Sequence, residues 1–199
     1  MPLSPPATRT HLHNRDIALR GYLREDGLVD IEAHLTDTRA QRKLRRDGSV
    51  REAGEAVHDM WLRLTITQGR EIVDCEAAMD TTPYSVCPQV APNYARLVGL
   101  RIEGGFIRKA MEQLGGAQGC THLRELLQQM GTTAFQTLYA VGAMRDDPGS
   151  LEGKRPPLLN TCYAWGETSG MIAAQFPAWY TGKDKPVERA LGNTPLAAG

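Results

Sequence analysis

Alternating apolar and polar residues mark three stretches of the chain as β-strands. Apolar side chains occupy every second position in residues 28–38, and the same period recurs in residues 57–67 and 71–80. This period places successive side chains on opposite faces of a sheet. A tight turn at residues 68–69 joins the last two strands, and a further β element is expected at residues 15–23. The pattern therefore predicts an antiparallel sheet with one apolar face and one polar face.

Helical spacing of the apolar residues replaces this pattern in the second half of the chain. It predicts short helices at residues 94–100 and 106–114 and a long helix from Cys120 to about Met144. An apolar sheet face needs a cover, and these helices supply it. The expected fold class is therefore α+β, with a three-stranded antiparallel sheet covered on one face by helices.

Composition limits the kinds of partner and the compartment. The 199 residues include 23 basic and 23 acidic side chains, so the net charge gives no reason to expect binding to nucleic acid or to a membrane surface. No apolar run approaches the roughly 18 residues that span a bilayer, and a cytoplasmic protein is expected. A single domain is expected over residues 15–182, between an N-terminal arm, residues 1–14, and a C-terminal tail, residues 183–199.

Cys120 and His122 lie where a glycine-rich turn meets the predicted long helix. The helix has a buried stripe, formed by Leu123, Leu126, Leu127, Met130 and Ala134. Unpaired N–H groups and the helix dipole stabilise a thiolate at such a helix start. This pair is therefore the strongest candidate site in the sequence.

A metal site is the first hypothesis for this region. Asp80 and Cys87 follow the third predicted strand, and thiolate, imidazole and carboxylate groups are the usual ligands of zinc and iron. If the two segments meet, Asp80, Cys87, Cys120 and His122 supply four ligands. Both side chains of the second pair can reach one ion only if Cys120 precedes the helix, because positions two apart in a helix do not share a face.

A metal-free enzyme acting on a small carboxylated or aromatic substrate is the second hypothesis. Cys120 would act as the nucleophile or acid, and His122 or His58 would act as its base. Substrate-binding candidates come from the polar sheet face and the irregular segment after it, with Arg63 as the anion holder; they are Glu32, Trp61, Arg63, Glu76 and Tyr84. Ion pairing on a wet surface also explains the charged members of this set.

An accessory or adaptor protein is the third hypothesis, in which the Trp- and Tyr-bearing C-terminal segment binds a partner protein. Cys75 lies in the apolar phase of its strand and is expected in the core. The sequence leaves open whether the protein is an enzyme, and it leaves the reaction, the substrate or partner, the metal and the oligomeric state undefined.

The chain resembles a bacterial family catalogued only as domain of unknown function 2889. The resemblance covers roughly residues 10 to 165 and implies no activity. It rests on Asp26-Gly27 with Asp30-Ile31-Glu32, on the stretch from His58 to Arg63, on Pro83-Tyr84 with Cys87, and on the stretch from Gly119 to Leu123.

The order of elements is also similar to that of iron–sulfur cluster scaffold proteins of the NifU amino-terminal type. That family binds zinc or a cluster through an aspartate and a cysteine after its third strand and a cysteine at a later helix start. The resemblance implies that Asp80 and Cys87 match the first group and that Cys120 matches the second. The intermediate cysteine of that family has no counterpart here. A mononuclear zinc or iron site or a repurposed pocket is therefore expected ahead of a labile cluster, and an intact cluster-assembly role is not expected.

Overall fold

The computed structural model describes residues 3–45, 48–144, 155–156 and 158–182. The chain forms two compact units, Met1–Arg145 and Asp146–Gly199. The stretch predicted as one domain has parts in both units. The first strand begins at His13, inside the predicted arm, and the predicted tail lies outside the described residues.

A four-stranded antiparallel sheet forms the centre of the first unit. In their order across the sheet, the strands are β1 (His13–Leu23), β2 (Val29–Arg39), β5 (Ala56–Ile66) and β6 (Ile72–Thr81). A small hairpin of β3 (Lys43–Leu44) and β4 (Val50–Arg51) separates β2 from β5 along the chain. The prediction of three strands is therefore one short. The inward positions of β1 include Arg15 and Gly21, which weaken its alternation.

One face of the sheet carries the core. Its buried residues on β2 and β5 repeat at every second position, as the sequence predicts; they are Val29, Ile31, Ala33 and Leu35 on β2 and Met60, Leu62, Leu64 and Ile66 on β5. Cys75 on β6 is buried with them, as expected. Val73 is 39% exposed although its phase predicts burial, because a register shift at Thr65 and Ile66 displaces the start of β6.

Helices cover this apolar face. They comprise a 3₁₀ helix (Cys87–Leu97), α1 (Phe106–Leu114), a short 3₁₀ turn (Gly116–Gln118) and α2 (Thr121–Met144). The predicted helix at residues 94–100 is wrong in its limits and type. Pro88 and Pro92 have no N–H group to donate, which disfavours a regular α-helix there. The predictions for α1 and α2 are confirmed.

The second unit contains a short helix, α3 (Gly170–Gln175), followed by a 3₁₀ turn (Pro177–Trp179). Ser169 caps α3 by accepting a hydrogen bond from the Ile172 N–H group. Within the described residues, no helix has the length and apolar content needed to span a bilayer.

The close approach of α2 to β1 depends on Gly21. A methyl group added at Gly21 would lie 1.8 Å from Thr137 Oγ1 and 2.8 Å from Thr137 Cβ. Thr137 is held in place because its hydroxyl donates to the Thr133 carbonyl at 2.8 Å. Glycine is therefore required at position 21 by contact with the helix.

We expect Gly21→Ala to lower the free energy of unfolding by roughly 1–3 kcal/mol, because the added methyl group forces α2 away from β1. Thr137→Ala should recover part of the loss in the double variant, since it removes the nearest atom. Gly142→Ala is the control, because a methyl group there meets nothing within 4 Å. Urea unfolding measures all four proteins, and equal stability of Gly21→Ala and the wild type would contradict the packing described.

Candidate functional site

A row of polar side chains ends the apolar face of the sheet. Arg15 on β1 pairs with Asp37 on β2, and Asp37 pairs with His58 on β5, each directly across the strands. Asp37 lies two residues after the buried Leu35, so its side chain is on the same, buried face of the sheet. The same register that aligns the core therefore brings a guanidinium, a carboxylate and an imidazole side by side.

Asp37 is the buried charge of this row, with only 1% of its surface exposed. Arg15 donates through Nε to Oδ1 and through Nη2 to Oδ2, both at 2.8 Å, and His58 Nδ1 lies 2.8 Å from Oδ2. Burial alone raises the pKa of Asp37, but the hydrogen bonds from Arg15 and His58 outweigh it and bring the pKa to about 2. The carboxylate is therefore ionised at neutral pH.

The first turn of α2 lies against this row. Cys120 precedes the helix, and its carbonyl accepts the first helical hydrogen bond, from the Arg124 N–H at 3.0 Å. The buried Tyr94 hydroxyl donates to that carbonyl at 3.0 Å and lies 3.2 Å from the Cys120 N–H group. Cys120 thus occupies the N-cap position, as the metal hypothesis requires, and Tyr94 fixes its backbone.

His122 reaches both neighbours from this turn. Its Nδ1 lies 3.7 Å from Cys120 Sγ, and its Nε2 lies 3.6 Å from Asp37 Oδ2. Its ring is tilted by 36° against that of His58, with the ring centroids 3.9 Å apart. Burial and then the nearby His58 and Arg15 lower the pKa of His122, so its neutral form is favoured.

Arg15 joins the sheet to the helix. Its Nη1 donates to Glu125 Oε2 at 2.7 Å, one turn after His122. His13, half exposed, lies on the solvent side of the row, with Nε2 3.3 Å from Asp37 Oδ1. The site is thus bordered by one cation and one imidazole that solvent can reach.

Asp37, His58 and His122 are the one group of three or more potential metal-binding side chains among the described residues. One ligand atom from each lies within 4.8 Å of the others. Two imidazoles and a carboxylate match the ligand preferences of zinc and of iron(II). The three residues come from β2, β5 and α2, so the fold rather than local sequence brings them together.

The comparisons with known proteins give a family but no activity. Residues 13–136 match the family model described as "Protein of unknown function (DUF2889)". The chain belongs to this family. Neither the curated proteins nor the solved structures contain a match. In this DUF2889 chain, all three clustered residues lie within the matched segment.

Two of the three predicted catalytic residues enter this cluster directly. His58 and His122 belong to it, and Cys120 contacts His122 from the other side. Of the four predicted metal ligands, only His122 is in the cluster. Asp80 is exposed near the end of β6, and Cys87 begins the 3₁₀ helix, half-buried. A site formed by all four predicted ligands stays a prediction.

Most of the predicted substrate-binding residues lie on the opposite face of the sheet. Four of them line one cavity there: Glu32, Trp61, Arg63 and Glu76. Arg63 lies between the two carboxylates and donates through Nη2 to Glu76. Tyr84, the fifth, is 70% exposed and is not among the residues that line the cavity.

Asp37 and Arg15 are two site residues that the sequence patterns did not single out. The sequence does contain an indication of both, because Asp37 on β2 and Arg15 on β1 lie at positions whose side chains point to the buried face of the sheet. A charged residue at a position where alternation demands an apolar one is either paired or functional. Glu125, also missed, has no comparable signal because it lies on the exposed side of α2.

We expect the pKa of Asp37 to appear as acid-dependent stability. A carboxyl whose pKa falls from 3.8 to about 2 on folding stabilises the native state above pH 4 and loses this effect as the pH falls to 2. Over that interval the free energy of unfolding should fall by roughly 2 kcal/mol more in the wild type than in Asp37→Asn. Urea unfolding at both pH values measures the two slopes, and parallel slopes would contradict the ion pair.

Proposed function

We propose that this DUF2889 chain binds a divalent transition metal ion, zinc or iron(II), through Asp37, His58 and His122. The observation that carries the proposal is the convergence of one ligand atom from each residue within 4.8 Å. Two imidazoles with one carboxylate form the ligand set of many mononuclear iron(II) sites, and zinc accepts the same donors. The function we infer is therefore that of a metal-binding α+β protein.

The protonation states favour metal binding. Metal ligands must be deprotonated, and at neutral pH Asp37 is ionised while the lowered pKa of His122 favours the neutral imidazole. The ion pair with Arg15 compensates only part of the local negative charge, because Glu125 shares the same guanidinium at 2.7 Å. Asp37, Arg15 and Glu125 together leave one net negative charge for a cation.

Binding needs a small local change. The 2.8 Å contact between His58 Nδ1 and Asp37 Oδ2 is a hydrogen bond, and two ligands of one tetrahedral ion lie farther apart, at about 3.3 Å. A metal ion would therefore replace the proton between these two atoms and open the pair slightly. The separation of His122 Nε2 from Asp37, 3.6 Å, already suits two ligands of one ion.

Three protein ligands are typical of catalytic metal sites, in which substrate or water takes the remaining position. A metal there would supply Lewis acidity to a small molecule. His13 and Arg15 lie on the side that solvent reaches, with side chains 50% and 33% exposed. They border the side from which a small molecule would approach the site.

A second candidate function is thiol chemistry at Cys120. The contact that favours it is the 3.7 Å separation of Cys120 Sγ from His122 Nδ1, which lies at the N-terminal end of the 24-residue helix α2. The lowered pKa of His122 argues against it, since a thiolate–imidazolium pair requires the charged ring. The two functions need different charge states of His122, and we place metal binding first because the neutral state is favoured.

Three expectations from the sequence remain proposals. A site with Asp80 and Cys87, as in NifU-type scaffolds, would require the segment around residues 80–87 to approach Cys120. A cytoplasmic location and an adaptor role through the C-terminal segment rest on composition and on aromatic residues such as Tyr163, which is 99% exposed. The metal-binding measurements below distinguish a site with Asp80 and Cys87 from the cluster of Asp37, His58 and His122.

We expect one equivalent of zinc or iron(II) per chain after tag-free purification or reconstitution, measured by mass spectrometry of metals. His58→Ala, His122→Ala and Asp37→Asn should each lower the affinity by at least tenfold, because the first two remove a ligand and the third removes the ligand's negative charge. His34→Gln is the matched control: His34 also contacts an aspartate, Asp59, at 2.6 Å, but on the other face of the sheet. Circular dichroism confirms that each variant is folded.

Two results would contradict the assignment. A wild-type protein that retains no metal after reconstitution would remove metal binding as a function. Loss of metal in Cys87→Ala and Asp80→Asn, with retention in His58→Ala, would move the site to the ligands that the sequence predicts.

Alkylation rates test the thiol candidate separately. If metal binding is the function, Cys120 in the metal-free protein should react with iodoacetamide at pH 7 no faster than the exposed Cys162. Peptide mass spectrometry measures both rates in one sample. A rate for Cys120 at least tenfold above that of Cys162, lost in His122→Ala, would establish the thiol function instead.

A further inference from the structure

The outer face of the sheet, opposite the core, contains a small cavity. It has a volume of about 190 Å³ and is lined by Glu32, Trp61, Leu62, Arg63, Glu76 and Ala78. The cavities that hold drug-sized ligands are larger, about 300–1,000 Å³. Any ligand of this cavity is therefore small.

An aromatic stack forms one wall of the cavity. The indole of Trp61 lies on the imidazole of His34 with ring centroids 3.7 Å apart and planes inclined by only 6°. His34 is held in turn by Asp59, since its Nε2 lies 2.6 Å from Oδ1. The indole is therefore fixed in one orientation, with one face covered by His34.

The other face of the indole is open to the cavity. In the sheet, Trp61 lies between His34 on β2 and Ala78 on β6. Because the covered face is toward β2, the second face is toward β6, where Ala78 contributes only a methyl group. Among the described residues, no aromatic or cationic group contacts this second face. A flat group can extend the stack above Ala78.

The charges at the end of this slot favour a cation. Glu32 and Glu76 flank the single cation Arg63, which leaves one net negative charge among the lining residues. Arg63 donates to Glu76, but its Nη1 is 3.7 Å from Glu32, beyond hydrogen-bond length. Glu32 therefore keeps acceptor capacity for a donor in the cavity. An indole face attracts cations as well.

We propose that a small planar organic cation, an amidinium or a guanidinium, stacks on Trp61 above Ala78 and pairs with Glu32 and Glu76. The shape of the slot selects a flat group, the indole face attracts positive charge, and the two carboxylates accept its N–H donors. This site lies on the opposite face of the sheet from the cluster of Asp37, His58 and His122 and does not depend on it.

Titration with benzamidine, followed by NMR of the Trp61 indole N–H, tests the proposal. Trp61 is one of three tryptophans, so Trp61→Phe assigns its signal. Benzamidine should shift this signal in a saturable way, with a dissociation constant at least tenfold below that of benzamide, its neutral analogue of the same shape. The variant with Glu32→Gln and Glu76→Gln should weaken benzamidine binding at least tenfold.

A matched pair of cavity variants keeps the test specific. Ala78→Phe fills the slot and should abolish the shift, whereas Ala18→Phe, the same change next to His34 on the other side of the stack, should preserve it.

A capped Gly-Arg-Gly peptide separates two sources of the cation: tighter binding than benzamidine assigns the slot to an arginine side chain, and weaker binding assigns it to a free small molecule. No saturable shift with either ligand, equal binding of benzamide, or binding to folded Ala78→Phe would overturn the proposal.

Discussion

The ionised carboxylate of Asp37 is the constraint on which the rest of the site depends. A buried charge is costly unless it is paired, and Asp37 is 1% exposed. Arg15 and His58 provide the pairing from the strands on either side, and Arg15 extends it to Glu125 on α2. Any arrangement of β1, β2, β5 and the start of α2 must therefore keep these groups together, which also places His122 beside them.

Strand register places different chemistry on the two faces of one sheet. On the inner face, Arg15, Asp37 and His58 share a row; on the outer face, His34, Trp61 and Ala78 share another. Each row depends on two strand pairings, β1 with β2 and β2 with β5 for the inner row, and β2 with β5 and β5 with β6 for the outer row. The rows lie on opposite faces because side chains alternate along a strand. A slip of one residue would reverse the faces of the strand that slips. A slip of β2 would expose Leu35 together with Asp37, and a slip of β5 would expose Met60 together with His58, so the burial of the core enforces both sites.

The sequence predicts the sheet and helices well, because alternation and helical spacing report burial directly. Leu62, Leu64 and Cys75 lie in the core as expected, and Cys120 precedes α2. The site is predicted less well. His58 and His122 are 64 residues apart and meet only because α2 crosses the end of β5, a tertiary fact that local spacing does not contain. Asp37 can be noticed in the sequence, because it is a charged residue at a position of β2 where the alternation predicts an apolar one. Its partners on β1 and β5 cannot, because they are set by how the strands pair.

Cys120 shows why one helix start supports two functions and why the protonation of His122 decides between them. Tyr94 holds the Cys120 backbone, which fixes where the first turn of α2 meets the sheet. From there His122 presents one nitrogen to Cys120 and the other to Asp37. A charged His122 would serve a thiolate, whereas a neutral His122 would serve a metal ion. Burial disfavours the charged ring, and so does repulsion from the nearby His58 and Arg15. The neutral ring keeps a lone pair for a metal ion, and the two carboxylates of Asp37 and Glu125 exceed the charge of Arg15 by one.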